Sequence, residues 1–159
     1  MKVNICSRKE AALLLQNGFP KNTAVISFYT PTYKERKGND RLDYQGACER
    51  IFYIGAHDID PPCLPDFCLS YESYLPEADA LAEFIYRARL EGLDILCQCD
   101  YGQSRSAACA AAILEHFEGC GIDIFTDYRY YPNQMVYHKI FDALTRFSNS
   151  PFEFRIFPK

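Results

Sequence analysis

Several large classes of protein are excluded by what the chain lacks. No apolar run approaches the ~18 residues that a membrane span needs. The opening MKVNICSRKE has no apolar core of the kind a secretory signal carries. Positive charge is not in excess: 17 Lys and Arg against 21 Asp and Glu give a net charge of −4. With no basic stripe either, nucleic acid and anionic membrane surfaces are poor candidates for the main partner. A cytoplasmic setting is the expectation. Repeats, low-complexity tracts and linkers are also absent, so the 159 residues read as one domain, long enough to bury a sizeable core. The eight cysteines lack the two-residue knuckle of structural zinc; Cys63-x4-Cys68 and Cys97-x-Cys99 come nearest, and no metal is expected. Reduced thiols are the default without a signal, and Cys6, Cys48, Cys109 and Cys120 read as small apolar packing residues.

What is present is an alternation of short apolar runs with helical spacings. Val3–Cys6 is a strand candidate, and Ser7-Arg8-Lys9-Glu10 forms a capping box ahead of Leu13, Leu14 and Leu15. Gly18 and Pro20 supply the stop. Ala24–Tyr29 is β-branched and aromatic, hence a second strand. The polar stretch 30–45 reads as a solvated loop or as a substrate-facing one, in which Tyr33, Lys34 and Arg36 would form a wall. Arg50–Ala56 reads as a buried strand ended by His57-Asp58-Ile59-Asp60-Pro61-Pro62. The stretch Cys63–Tyr74 reads as an irregular flap. Pro76 suits a first helical turn, Leu81, Phe84, Ile85 and Ala88 give one apolar face, and Gly92 ends it. Gly119-Cys120-Gly121 is a break, and 122–129 fits either strand or loop. Pro132-Asn133 opens a last helix with Val136, Ile140, Ala143 and Phe147 on one face. The tail 151–159 fits an edge strand or an aromatic flap.

This alternation predicts an α/β fold: a mostly parallel central sheet of four to five strands flanked by helices, with ligands at the carboxyl ends of the strands. The strands holding Ile51 and Ile95 would then end in one crevice, bringing Asp58 and Asp60 towards Cys99.

One stretch organises the rest, 94–117, DILCQCDYGQSRSAACAAAILEHF. Ile95, Leu96 and Cys97 form a strand-length run, and Ala110, Ile113, Leu114 and Phe117 follow at helical spacing. The loop Cys99–Ser104 therefore joins a strand end to a helix start, where backbone N–H groups and the helix dipole favour an anion. A Cys placed there is a nucleophile, Arg105 can fork onto two oxygens, and Gly102 permits a turn with φ > 0. With eight cysteines in the chain the bare Cys-x5-Arg spacing is weak. The combination with the strand, Gly102, Ser106 and the following helix is specific.

In these residues the chain resembles the cysteine-dependent protein tyrosine and dual-specificity phosphatase superfamily. Its signature is His-Cys-x5-Arg-Ser/Thr with a central Gly. Cys99, Gly102, Arg105 and Ser106 match, while Gln98 stands where the family has His. Tyr130–Leu144 (YYPNQMVYHKIFDAL) and FYIGAHDID with LAEFIYRA extend the likeness over roughly 50–147. The resemblance implies a single phosphatase-like domain that hydrolyses phosphomonoesters through a phosphocysteine and needs no cofactor. Cys99 would be the nucleophile, and the amides of Asp100, Tyr101, Gly102, Gln103, Ser104 and Arg105, with the Arg105 guanidinium, would hold the phosphate oxygens. Ser106 would donate to the departing sulfur. Asp58 would be the general acid, with Asp60 second and Asp66 third, and the segment 61–73 looks partly inserted. Asn133 would brace the loop, cap the last helix, or both.

Other readings attach to neighbouring residues. His57 is a satisfied neighbour or a substrate contact, and Arg129 a solvated side chain or a second anion contact. Gln98 can hydrogen-bond backbone around the loop. Cys97 is buried packing, or a partner for oxidised Cys99 on the same strand face. The loop carries no Lys, which favours a singly phosphorylated substrate. A phosphotyrosine protein or peptide leads, ahead of an inositol phosphate, an RNA 5′-phosphate or another small phosphomonoester. The alternatives to an enzyme are a pseudophosphatase that binds phosphotyrosine with little or no turnover, and a thiol redox protein using Cys97 and Cys99.

Overall fold

The structure, a computed structural model, describes residues 1–31 and 41–149. The candidate wall of Tyr33, Lys34 and Arg36 and the tail 151–159 lie outside the described residues. The elements run β1 (Val3–Ser7), α1 (Arg8–Asn17), β2 (Thr23–Tyr29), β3 (Ile51–Gly55), a 3-10 helix (Pro61–Phe67), α2 (Ala78–Leu90), β4 (Asp94–Cys99), α3 (Arg105–Glu118), α4 (Ile122–Thr126) and α5 (Gln134–Asn149). The four strands pair in parallel in the order β1-β4-β2-β3. β4 is therefore an inner strand, and its last residue, Cys99, is in register with Ser7 at the end of β1.

Strand alternation sorts side chains between two faces. From β4, Ile95, Cys97 and Cys99 enter the larger core, joined by Ala24, Ile26 and Phe28 of β2 and by residues of α2, α3 and α5. Leu96 and Val25 face the other way, into a smaller cluster with Cys6, Ala11 and Tyr44. α3 is buried continuously from Arg105 to Ile113. Its run of alanines provides close approach without bulk, and helix propensity is highest for Ala.

α1 starts directly at the end of β1 through a reciprocal cap. Glu10 N–H donates to Ser7 Oγ at 3.2 Å, and Ser7 N–H donates to a Glu10 carboxylate oxygen at 2.7 Å. The Ser7 N–H bond, and a second from Ser7 Oγ at 2.8 Å, hold the Glu10 carboxyl below its ordinary range.

Two segments differ from the sequence reading. Residues 122–126, expected as strand or loop, form the short helix α4. Gly119, at φ +67°, ends α3, and the carbonyls of Cys120 and Gly121 accept from Asp123 N–H and Ile124 N–H, starting a new turn at once. Phe125 then packs edge-on against Tyr137 of α5 at 5.1 Å. The expected flap 63–74 is anchored. Pro61 and Pro62 open the 3-10 helix, Leu64 and Tyr74 are buried, and Tyr74 Oη donates to the His57 carbonyl at 2.7 Å.

Replacing Ser7 with Ala removes one side of the cap and is expected to cost about 1 kcal/mol. A lower urea midpoint with unchanged slope would register it. Acid should remove part of the same contribution. Glu10, ionised more readily when folded, stabilises above the unfolded carboxylate pKa and loses that as pH falls through its folded value.

Candidate active site

The loop after β4 is fixed from both flanks. Gly102 sits at φ +72°, and a Cβ there would lie 2.6 Å from the Ser7 nitrogen and 2.8 Å from the Cys6 carbonyl carbon. The loop thus rests directly on the β1–α1 junction, which only glycine permits. Three of its carbonyls are taken by flanking backbone: Asp100 O accepts from Arg8 N–H at 3.2 Å, Gln103 O from Tyr131 N–H at 2.9 Å, and Ser104 O from Asn133 N–H at 3.4 Å. The N–H groups of Tyr101 through Ser104 donate to no backbone carbonyl among the described residues. Carbonyls bound outward and amides left over describe an anion cradle at the start of α3.

Cys99 is 2 % exposed, and its Sγ lies 3.0 Å from Ser106 Oγ. The Arg105 side chain is 3 % exposed and held at its far end. Nη1 donates to Ala56 O at 2.8 Å and Thr30 Oγ1 at 3.1 Å, and Nη2 donates to Asp100 Oδ2 at 2.7 Å. Asp100 Oδ1 in turn meets Arg8 Nη2 at 2.8 Å. Arg105 Nε is the one buried side-chain nitrogen or oxygen among the described residues with no hydrogen-bond partner. A guanidinium has five N–H donors, of which three are answered here, and leaving Nε without any partner in the interior is costly unless a ligand answers it. The edge carrying Nε is thus open to an oxyanion.

Asp58 joins this site from the end of β3. Its Oδ1 accepts from Ser104 Oγ at 2.6 Å and Asn133 Nδ2 at 3.0 Å, while Oδ2 lies 3.8 Å from Arg105 Nε. Asn133 also donates to Ile59 O at 3.0 Å, and its Oδ1 accepts from Val136 N–H at 3.1 Å. It is both brace and helix cap. Asp60 and Asp66 are exposed, and neither side chain is hydrogen-bonded to the loop.

No family model and no curated protein matches the sequence. Solved structures do. DUSP15 aligns over 92 % of this chain and 90 % of its own, at 19 % identity and a TM-score of 0.55. PTPMT1 in complex with PI(5)P aligns over 93 % of both chains, at 12 % identity and a TM-score of 0.55. A human tyrosine phosphatase-like serine/threonine/tyrosine-interacting protein aligns over 89 % of this chain and 87 % of its own, at 16 % identity and a TM-score of 0.53. The chain has the fold of the tyrosine and dual-specificity phosphatases.

Within this phosphatase-like fold, Gln98 bonds side chains, and among the described residues it makes no bond to the loop backbone. Its Oε1 accepts from Ser27 Oγ at 2.6 Å and Tyr44 Oη at 3.2 Å. Burial raises the Tyr44 hydroxyl well above the ordinary phenol, so it stays a donor. Cys97 is fully buried and faces Cys109, its side-chain hydrogen-bonding partner, and that contact together with burial raises its pKa. Burial likewise pushes Cys6 up to about 12. Both thiols are therefore poor nucleophiles. Arg129, read as a possible anion contact, is exposed and forms a two-pronged pair with Asp127. The His57 ring packs on Phe67 at 4.6 Å, and burial, then Arg105, lowers its pKa, so it is neutral at pH 7. Tyr101 stands on the rim, 81 % exposed.

Spacing gave no signal for Arg8, Thr30, Ser27, Tyr44 or the Asp100 side chain. Each reaches the site through tertiary packing.

Gly102 and Gly119 have similar positive φ, but only Gly102 has backbone against its missing Cβ. Gly119→Ala should cost about 1 kcal/mol from backbone strain alone. Gly102→Ala should cost at least ~2 kcal/mol more, since the clash must displace β1. Thermal unfolding of the two variants side by side measures the difference, and equal costs would contradict the close approach.

Proposed function

We propose that the chain is a phosphomonoester hydrolase that works through a phosphocysteine on Cys99. The observation that carries this is the buried Arg105 Nε, which has no hydrogen-bond partner and whose nearest carboxylate oxygen is 3.8 Å away, on the residue that follows a loop of uncommitted amides and precedes the Ser106 touching the Cys99 thiol. Each of the three is a donor or nucleophile wanting the same tetrahedral anion.

In the first step the Cys99 thiolate attacks phosphorus. The S–P bond forms as the bond to the leaving oxygen breaks, and the loop amides with Arg105 hold the equatorial oxygens. Asp58 supplies the proton to the leaving oxygen. Its Oδ1 is filled by two donors, Ser104 and Asn133, so the proton belongs on Oδ2, on the Arg105 side. In the second step water attacks phosphorus, Asp58 takes its proton, and the S–P bond breaks. Ser106 Oγ, 3.0 Å away, donates to the departing sulfur. A singly phosphorylated substrate, with phosphotyrosine in a protein or peptide leading, suits a loop whose own side chains add no cation beyond Arg105.

Wild type should hydrolyse p-nitrophenyl phosphate. Cys99→Ser should abolish turnover yet still bind the substrate analogue vanadate or phosphate. Binding without turnover in either form would make the chain a phosphate-binding module instead. Asp58→Ala should lower kcat by about 100-fold or more for poor leaving groups and far less for p-nitrophenol. The same signature from Asp60→Ala would move the acid to that residue.

A further inference from the structure

We infer that the groove running from Ser104 selects phosphorylated peptide segments with a Lys or Arg beside the phosphorylated residue. This rests on the phosphate-site reading above. The groove has a volume of about 710 Å³, and its lining shares Ser104 and Asp58 with the candidate site, so a peptide whose phosphate sits in the loop has this groove beside its leaving-group side. Its lining includes two carboxylates, Asp58 and Asp60, and no Lys or Arg among the described residues.

The two carboxylates are not equivalent. Asp58 is engaged by Ser104 and Asn133. Asp60 is exposed, and its carboxylate enters no hydrogen bond or ion pair among the described residues. Its backbone is fixed, because its carbonyl accepts from Cys63 N–H at 2.9 Å and Pro61 and Pro62 follow. A free carboxylate on stiff backbone beside a substrate groove favours a cation and repels an anion. Across the groove's lining Tyr131, 73 % exposed, adds an aromatic face that attracts guanidinium and ammonium groups, while the Tyr130 ring already carries Arg129 at 5.3 Å, a cation itself paired with Asp127. A phosphoinositide in a membrane presents the opposite character, an anionic surface. The chemistry of this groove therefore points to a basic phosphopeptide over a phospholipid headgroup.

The test uses two phosphotyrosine peptides, identical except that Arg-Lys or Glu-Asp flanks the phosphorylated residue, and vesicles carrying a phosphatidylinositol monophosphate. Turnover is measured with wild type and peptide binding with Cys99→Ser. The basic peptide should lead by on the order of tenfold at low ionic strength, with the lead shrinking as salt rises. Asp60→Asn should bring the ratio of the two peptides close to one, and Asp60→Lys should invert it. Equal use of both peptides, preference for the acidic one, or faster turnover of the vesicles would overturn the inference. A chain that turns over nothing while Cys99→Ser still discriminates between the peptides would sink the hydrolase reading and support the groove. Binding of neither peptide to Cys99→Ser would overturn both.

Discussion

A guanidinium taken out of water sets the terms for everything around it. Removing a cation from solvent costs several kcal/mol unless hydrogen bonds and opposite charge compensate, and a single missing partner is felt strongly. At Arg105 the compensation comes from three segments: Thr30 after β2, Ala56 and, at longer range, Asp58 after β3, and Asp100 in the loop. Asp100 is itself balanced by Arg8 at the first residue of α1. The far end of the side chain is thereby locked, and the charge is turned through Nε towards the cradle. Preorganisation of this kind keeps reorganisation off the reaction coordinate, which is where electrostatic catalysis gains most.

The backbone of the loop obeys the same constraint. Its carbonyls would repel an anion if they faced inward, and three of them are bound by the N–H groups of Arg8, Tyr131 and Asn133. Two of those donors come from the connection between α4 and α5 and one from the start of α1. The site is therefore a joint between the first and last helices, with the sheet beneath it.

Much of this was legible because it is local. A strand, a glycine turn and an alanine-rich helix occupy consecutive residues, so the loop's place was legible from periodicity, while Cys99 and Arg105 were singled out by their residue types and by the family resemblance. The Ser7–Glu10 cap is likewise a four-residue pattern and appears as read. A topological rule, that parallel strands end on one edge, brought Asp58 and Asp60 alike towards the loop, and the family resemblance put Asp58 first; in the structure Asp58 is the one hydrogen-bonded to Ser104. Asn133 turned out to be brace and cap together. What escaped is non-local. Gln98 finds Ser27 across 71 residues and Tyr44 across 54, and Cys97 finds Cys109 on another element. Nothing near those positions announces such partners. α4 escaped for a different reason: Ile and Phe in 122–126 favour strands intrinsically, but the break at 119–121 launches a turn before any sheet edge is available.

The strand order carries a consequence for how the molecule comes into being. β4 lies between β1 and β2, both of which precede it by dozens of residues, so the sheet is held together at its centre by long-range pairings. Pairings of that separation are slow to close and leave strand edges bare in the meantime. The thiol at the end of β4 has its setting only with that strand paired on both sides, and Asp58 has its Asn133 brace only with the segment leading into α5 in place. The loop and its bracing are thus assembled from both ends of the chain, and neither is complete without the other.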